Sequence, residues 1–181
     1  MKKVLLSLLL SMTVAFVFAQ TNKTDWMIGG NIRVNTAKSN NEVTIQPMAG
    51  YFFADNFAAG SEFKLSYSKF GAEKSRSIGV GPFARYYFNL NNSSFKPLVH
   101  STVTFESVNT NENGTESTNT VTSIYILGGA AYFINENVAI EALAGYNRSK
   151  YENQDSEGGF VFRFGFQVHL LGKEVRTITT Y

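Results

Sequence analysis

The chain has 181 residues, of which 44% are hydrophobic and 14% aromatic, and its formal net charge is +2. Both excess charges, Lys2 and Lys3, lie in an N-terminal segment that we expect to be removed, so the rest of the chain is neutral and does not favour a nucleic-acid partner. There is no cysteine, which excludes disulfide bonds, thiol chemistry and cysteine-based metal sites. The many aromatic residues and the three prolines favour an all-β protein.

Residues 1–19 have the pattern of a secretory signal peptide. Two lysines precede an apolar run from Val4 to Phe18, and Val17-Phe18-Ala19 resembles a signal-peptidase site. A retained membrane anchor is the alternative, but the run is short for a membrane span and is interrupted by polar residues. We expect cleavage after Ala19, which leaves 162 of the 181 residues, the length of a single domain.

Eight later stretches alternate between apolar and polar residues with the period of two that is typical of a β-strand. They lie near residues 26–36, 43–53, 57–67, 78–88, 95–106, 122–133, 138–147 and 160–170. The last stretch is the clearest, because every even position is large and apolar while Arg163, Gly165, Gln167 and His169 occupy the other face. Its apolar face consists of Phe160, Phe162, Phe164, Phe166, Val168 and Leu170.

The connections between the predicted strands alternate in length. The short ones are at residues 54–56, 89–94 and 135–137, and the mostly longer, polar ones are near 37–42, 69–76, 108–120 and 148–159. Residues 108–119 are almost free of apolar side chains, which predicts a long solvated loop. An even number of strands with short turns at one end and longer loops at the other is the pattern of a bacterial outer-membrane barrel.

The length and the faces of the strands favour a membrane barrel over a soluble one. Eleven residues span about 33 Å, and a tilt of about 40° reduces this to the roughly 25 Å of the apolar band in such barrels. Eight strands enclose a narrow interior, which the glycine-rich and polar face fits better than the phenylalanine face. The sequence therefore predicts an eight-stranded, antiparallel, up-and-down transmembrane β-barrel. It also predicts that arginine is not tolerated at Phe164, whereas serine is tolerated at Gly165. A soluble, lipocalin-like periplasmic barrel that binds an apolar ligand is the alternative.

Two turn segments, Tyr51 to Ala58 and Tyr132 to Ala139, are alike, and with the signal peptide and the last strand they resemble the outer-membrane protein β-barrel domain family. This family contains small eight-stranded barrels of the OmpX and OmpA type. The resemblance implies that residues 20–171 form a monomeric barrel in the bacterial outer membrane, in contact with its lipid. It also implies export through the general secretion pathway and insertion by the barrel-assembly machinery. The chain departs from the family in Gly172–Tyr181, which form either a tail or an extension of the last strand.

Charged residues on the predicted inward face are the most distinctive polar feature. They are Arg33, Glu62, Lys64, Arg85, Glu106, Glu141 and Arg163. Unpaired charges in a narrow lumen are costly, so we expect a network of ion pairs, with Glu62 paired to Arg85 and Glu141 to Arg163 on neighbouring strands. We expect this network to be structural and the barrel to have no open pore. A gated proton or ion path through the network is the alternative.

The sequence contains no arrangement of residues that predicts catalysis. His100 and Ser101 point to opposite faces of one strand, and His169 has no serine at a matching spacing. Glu152, Asp155 and Glu157 could hold a cation, but a solvated acidic loop explains them as well. We therefore predict no metal, no cofactor and a non-catalytic protein with a structural or surface-interaction role through its extracellular loops, whose outside partner the sequence does not identify. A lipid-modifying enzyme on the same scaffold is the alternative.

Overall fold

A computed structural model of the chain describes residues 21–37, 40–71, 73–90, 94–112, 115–152, 155–170 and 172. These residues form a closed barrel in which each of eight strands pairs with the next, and all pairs are antiparallel. The strands are β1 (Trp26–Ala37), β2 (Asn40–Ala54), β3 (Phe57–Phe70), β4 (Glu73–Tyr87), β5 (Phe95–Glu112), β6 (Thr115–Phe133), β7 (Val138–Tyr151) and β8 (Glu157–Leu170). The predicted architecture is confirmed. Within the described part of the chain, no helix is long and apolar enough to cross a membrane.

The first and last strands close the barrel. Trp26 of β1 pairs with Leu170 of β8, and the pairing continues to Ile32 and Phe164. Just beyond this seam, the backbone N–H of Gly172 donates a hydrogen bond of 2.9 Å to Asp25 Oδ1. The predicted signal peptide at residues 1–19 and residues 173–181 of the predicted tail lie outside the described residues.

The outer face of the barrel is apolar. On β8 the exposed fractions of Phe160, Phe162, Phe164 and Phe166 are 83%, 63%, 66% and 56%. The same alternation continues around the barrel, because the narrow interior cannot hold one large apolar side chain at every second position of eight strands. A soluble barrel would have the opposite arrangement, so the lipocalin-like alternative is wrong.

Both described ends of the chain lie at one end of the barrel, which we call the base. Asn56, in the turn between β2 and β3, donates its backbone N–H to the Thr21 carbonyl oxygen at 2.7 Å and has a φ of 66°. Asparagine is one of the few residues that readily adopts this left-handed conformation. Around the base, exposed aromatic side chains make edge-to-face contacts, such as that of Trp26 with Tyr51 at 5.2 Å. We call the opposite end the rim. In outer-membrane barrels the end with the short turns, which corresponds to the base, faces the periplasm, and the end with the longer loops, which corresponds to the rim, faces the outside.

The strands are longer at the rim than the sequence predicts. Residues 108–119 were expected to be a solvated loop, but 108–112 and 115–119 instead continue the β5–β6 ladder until Glu112 pairs with Thr115. Likewise β3 and β4 pair as far as Phe70 and Glu73, while β7 extends to Tyr151 and β8 begins at Glu157. The alternation of apolar and polar residues disappears where both faces of a strand meet water, although the backbone ladder persists. Side chains reinforce it there, as in the 2.6 Å hydrogen bond from Thr118 Oγ1 to Asn109 Oδ1.

Candidate functional site

The lumen of the barrel contains the candidate site. Its largest fully buried side chains include Arg85, Arg163, Tyr87, Tyr125 and Phe52. The structure places six of the seven predicted inward charges in buried positions, and the seventh, Arg33, is half-buried. The buried six are three cations and three anions: Lys64, Arg85 and Arg163, and Glu62, Glu106 and Glu141.

One ion pair crosses the lumen near its middle. Arg85 of β4 donates from Nη1 to both carboxylate oxygens of Glu141 of β7, at 2.6 and 2.9 Å. Tyr87 lies beside the pair, where its hydroxyl accepts from Arg85 at 3.0 Å and is 3.2 Å from Glu141 Oε1. Gln167 adds a donor at 3.3 Å from Glu141 Oε2. The carboxylate is thus surrounded by donors, as a charge removed from water requires.

A second ion pair also connects distant strands. Arg163 of β8 donates from Nη1 to both oxygens of Glu62 of β3, at 3.2 and 3.1 Å. Gln46 of β2 donates to the same carboxylate at 3.0 Å. The Arg163 guanidinium stacks on the Tyr125 ring, 4.4 Å from its centroid, which is a favourable cation–π distance.

The predicted pairing of Glu62 with Arg85 and of Glu141 with Arg163 is therefore wrong. Arg85 pairs across the ladder with Ala58, whereas Glu62 pairs with Gly81. The two charges are four residues apart along their strands, about 13 Å, which is too far for a hydrogen bond. A narrow barrel places the opposite wall within reach of a long arginine side chain, so both arginines bind carboxylates across the lumen.

His100 joins the two ion pairs. Its Nδ1 accepts a hydrogen bond from Arg85 Nε at 3.3 Å, and its Nε2 lies 3.4 Å from Glu62 Oε2. Because Nδ1 accepts, the ring proton of the neutral histidine is on Nε2, on the side of the carboxylate. Hydrogen bonds therefore join Glu141, Arg85 and His100, while His100 Nε2 lies against Glu62 of the second pair and makes no hydrogen bond among the described residues. Sequence analysis did not include His100 in the network.

A third ion pair lies closer to the rim. Lys64 Nζ donates to both oxygens of Glu106, at 2.9 and 2.7 Å, and to the Tyr125 hydroxyl at 3.2 Å. Thr104 donates to the same carboxylate at 2.9 Å. Above it, Arg33 binds Glu42 at 2.6 Å in a half-buried pair. The sequence had assigned Glu42 to a loop and so did not identify this partner.

Below the ion pairs, the base of the lumen is lined with aromatic rings. His169 is fully buried, and its ring centroid lies 5.6 Å from that of Phe52, 5.9 Å from Tyr87 and 5.1 Å from Phe133. Neither ring nitrogen has a hydrogen-bond partner among the described residues. Lys96 lies over the Phe133 ring at 5.8 Å and donates to Thr21 Oγ1 at 2.7 Å.

This arrangement can hold the walls of the barrel together. Lys64, Arg85 and Arg163 each bridge strands that are not neighbours, and Glu62 and Glu141 each accept from two other strands, so the contacts resist deformation of the cross-section. Among the described residues, no group of three or more histidine, cysteine, aspartate or glutamate side chains could hold a metal ion. The last predicted strand places Phe160, Phe162, Phe164, Phe166 and Leu170 in exposed positions and Val168 in a half-buried one.

Known proteins share this architecture. Neisserial surface protein A is similar with a TM-score of 0.62 and 18% identity, over 80% of this chain and 94% of that chain. The N-terminal β-barrel domain of OprF from Pseudomonas aeruginosa gives a TM-score of 0.57 and 15% identity, over 82% of this chain and 98% of that chain. Ail, the attachment invasion locus protein of Yersinia pestis, gives 0.50 and 15%, over 81% and 97%. At these identities the likeness shows the fold alone.

The family is established by the sequence itself. No curated protein matches the chain. The model of the family described as outer membrane protein beta-barrel domain matches residues 4–167, most of the 181 residues. With its closed eight-stranded barrel and its apolar outer face, the chain belongs to the outer membrane protein beta-barrel domain family and is an integral protein of the bacterial outer membrane.

Proposed function

We propose that the protein is non-catalytic and that its β5–β6 hairpin presents an interaction surface outside the cell. One observation carries this proposal: beyond the last outward apolar position, Phe105 opposite Thr122, the ladder continues for seven further pairs to Glu112 and Thr115. At about 3.3 Å per residue and a tilt of about 40°, these pairs rise about 18 Å above the apolar band. A rigid ladder of that height is more than a connection between two strands requires.

The exposed side chains of this hairpin suit reversible contact with a polar partner. Glu116, Ser117, Thr118, Asn119 and Thr120 are all exposed. Hydroxyl and amide groups hydrogen-bond to many partners, while the paired backbone reduces the entropy lost on binding.

The chemistry of the lumen supports a non-catalytic role. Both histidines, His100 and His169, are fully buried, so neither can act as a general base on a lipid at the rim. The carboxylates are held in ion pairs and hydrogen bonds with cations, tyrosines and glutamines. In our proposal this network stiffens the barrel, and neither a proton path nor a lipid-modifying enzyme is needed to explain it.

The proposal extends to the segments around the barrel. Residues 1–19 act as a cleavable signal peptide, residues 20–171 form the barrel domain, and residues 172–181 are a tail or an extension of β8. The barrel-assembly machinery inserts the chain, which remains a monomer. The exposed phenylalanines of β8 lie against lipid.

Shortening the hairpin tests the interaction role. In the variant, Ser107 is joined to Thr120 by an Asn-Gly turn, which removes residues 108–119 and retains the membrane-spanning ladder. We expect both proteins to fractionate with the outer membrane and to migrate faster on an SDS gel unheated than boiled. Cells displaying the wild-type barrel should adhere to polysaccharide or matrix-protein surfaces more strongly than cells displaying the shortened barrel. Equal adhesion, or release of fatty acid from labelled phospholipid by the purified protein, would contradict the proposal.

A further inference from the structure

Outward-facing cations are concentrated at the rim, immediately above the apolar band. Lys69, Lys74 and Arg76 lie on the β3–β4 hairpin, and Arg148 and Lys150 lie on β7; all five are exposed. In the β3–β4 ladder the last outward apolar pair is Leu65 with Ile78, followed by Tyr67 with Arg76 and then Lys69 with Lys74. From the strand rise and tilt, these rows lie about 5 and 10 Å above the last apolar pair.

The three cations of the hairpin are close together and are not neutralised by the protein. Lys69 and Lys74 are directly opposite in the ladder, and Arg76 is two residues from Lys74 on the same face. Like charges directly opposite each other on a sheet are destabilising. Within the described part of the chain, the ion pairs involve other cations. The cluster therefore repels itself unless an anion from outside the protein lies against it.

Nearby carboxylates do not fill that role. Glu73 is on the opposite, inward face of β4, because it precedes Lys74 by one residue. Glu116 lies on β6, across a cleft of about 550 Å3 that Lys74 and Arg76 line, and its carboxylate accepts from Asn111 Nδ2 at 3.4 Å. The cleft thus has two cations on one wall and the Glu116 carboxylate on the other, and among the described residues no ion pair joins the two walls.

The two ends of the barrel differ in a way that matches an asymmetric membrane. At the base the outward positions carry aromatic residues such as Trp26, Tyr86 and Tyr132, while Lys96 points into the lumen and binds Thr21. At the rim the outward positions of β3, β4 and β7 carry lysine and arginine. Cations fixed at the depth of the headgroups suit a leaflet whose lipids carry phosphate groups.

We propose that Lys69, Lys74 and Arg76 form a binding site for the phosphate groups of a phosphorylated lipid in the outer leaflet. The acyl chains of the bound lipid lie on the exposed apolar surface directly below, which is formed by Phe63, Leu65, Ile78 and Val80. Arginine and lysine are the side chains that most often bind phosphate, arginine through its planar fork and lysine as a point charge. This site lies on β3 and β4 and adjoins the interaction surface on the β5–β6 hairpin across the cleft.

Native mass spectrometry of the full barrel tests the site. The barrel is refolded in phosphatidylcholine nanodiscs that contain either a diphosphorylated glucosamine-disaccharide lipid or the same lipid without its phosphates. We expect the wild-type barrel to retain the phosphorylated lipid preferentially. The variant Lys69→Gln, Lys74→Gln, Arg76→Gln should bind it about a hundredfold more weakly, since each of the three surface cations contributes about fivefold. An excess of inorganic phosphate should not displace the lipid, because the acyl chains also contribute to binding.

Two matched variants control for loss of charge and loss of fold. Lys23→Gln removes an exposed cation at the base and should leave lipid retention unchanged. Lys69→Arg with Lys74→Arg keeps the charge and should retain the lipid. If the triple variant does not show the heat-dependent gel shift of a folded barrel, Lys74→Gln and Arg76→Gln alone should each weaken retention about fivefold. Equal retention by wild type and folded glutamine variants, or of phosphorylated and dephosphorylated lipid, would overturn the proposal.

Discussion

Arg85 and Glu141 face each other across the lumen, and the guanidinium Nη1 lies 2.6 and 2.9 Å from the two carboxylate oxygens. Their strands, β4 and β7, are separated by β5 and β6 on one side of the barrel and by β8, β1, β2 and β3 on the other. The ion pair therefore connects opposite walls of the barrel, whereas a pair on adjacent strands would connect strands that backbone hydrogen bonds already join.

Removing one partner of this ion pair should destabilise the barrel far more than removing both. Arg85→Met leaves Glu141 buried without its cation, and Glu141→Leu leaves Arg85 without its anion, so each should cost about 3–5 kcal/mol. The double variant Arg85→Met, Glu141→Leu removes both charges and should cost less than either single variant. Urea unfolding in lipid vesicles measures these free energies. Additive effects would show that the pair contributes no coupling.

The two buried histidines should respond oppositely to the same substitution. His169→Phe replaces a ring without hydrogen bonds among aromatic neighbours, so we expect a free energy of unfolding between unchanged and about 1 kcal/mol higher. His100→Phe removes the acceptor of Arg85 Nε and should cost about 1–3 kcal/mol. Both are measured by the same urea unfolding in lipid vesicles. A similar loss at both positions would contradict the distinction drawn between them.

Charge on the lipid-facing side of β8 should be strongly unfavourable. Phe164 is 66% exposed near the middle of the apolar face of β8, and Phe164→Arg should cost about 2–4 kcal/mol or prevent assembly. Ser117→Arg is the matched control, because it adds the same charge to an exposed position on the rim hairpin and should change stability by less than about 0.5 kcal/mol. Folded yield from the gel shift and urea unfolding measure both effects.

The sequence alone predicts that serine is tolerated at Gly165, but the structure indicates that Gly165→Ser is destabilising. A Cβ at this position would meet the Gly30 carbonyl oxygen of the paired strand and the Asn31 side-chain oxygen. A backbone oxygen cannot move aside without disturbing the seam, so we expect Gly165→Ser to cost about 1–3 kcal/mol. Urea unfolding against Gly159→Ser, whose site is open, measures this cost.

Orientation can be measured by labelling, because the chain has no native cysteine. Thr118→Cys at the rim should react with a membrane-impermeant maleimide on intact cells. Lys23→Cys at the base should react after the outer membrane is permeabilised and not before. The reverse pattern would place the base outside the cell.

The apolar wall was predictable, and the contents of the lumen were predictable only in part. Lipid is uniform, so each outward position needs the same property, and the alternation from Phe160 to Leu170 is readable without knowing any neighbour. The inward charges were also identified by their face. Their partners were not, because pairing Arg85 with Glu141 depends on the register of every strand between them and on the width of the lumen.

The prediction of a solvated loop at the rim was wrong for a different reason. Periodicity reveals a strand only where its two faces meet different environments, and above the membrane both faces of the β5–β6 hairpin meet water. Thr115, Thr118 and Thr120 are β-branched residues that favour a strand, but this preference is weak beside the absence of an apolar face.

The seam joins Trp26 to Leu170, positions that are 144 residues apart in the chain. Closing so long a loop is entropically costly and makes folding slow, since nearly the whole chain must be present before these strands can meet. Until then β1 and β8 each expose unpaired backbone groups, which cannot persist in hydrocarbon. Completion of the seam and stable insertion must therefore occur as a single step, so truncated chains that lack β8 should not accumulate in the membrane as partial barrels.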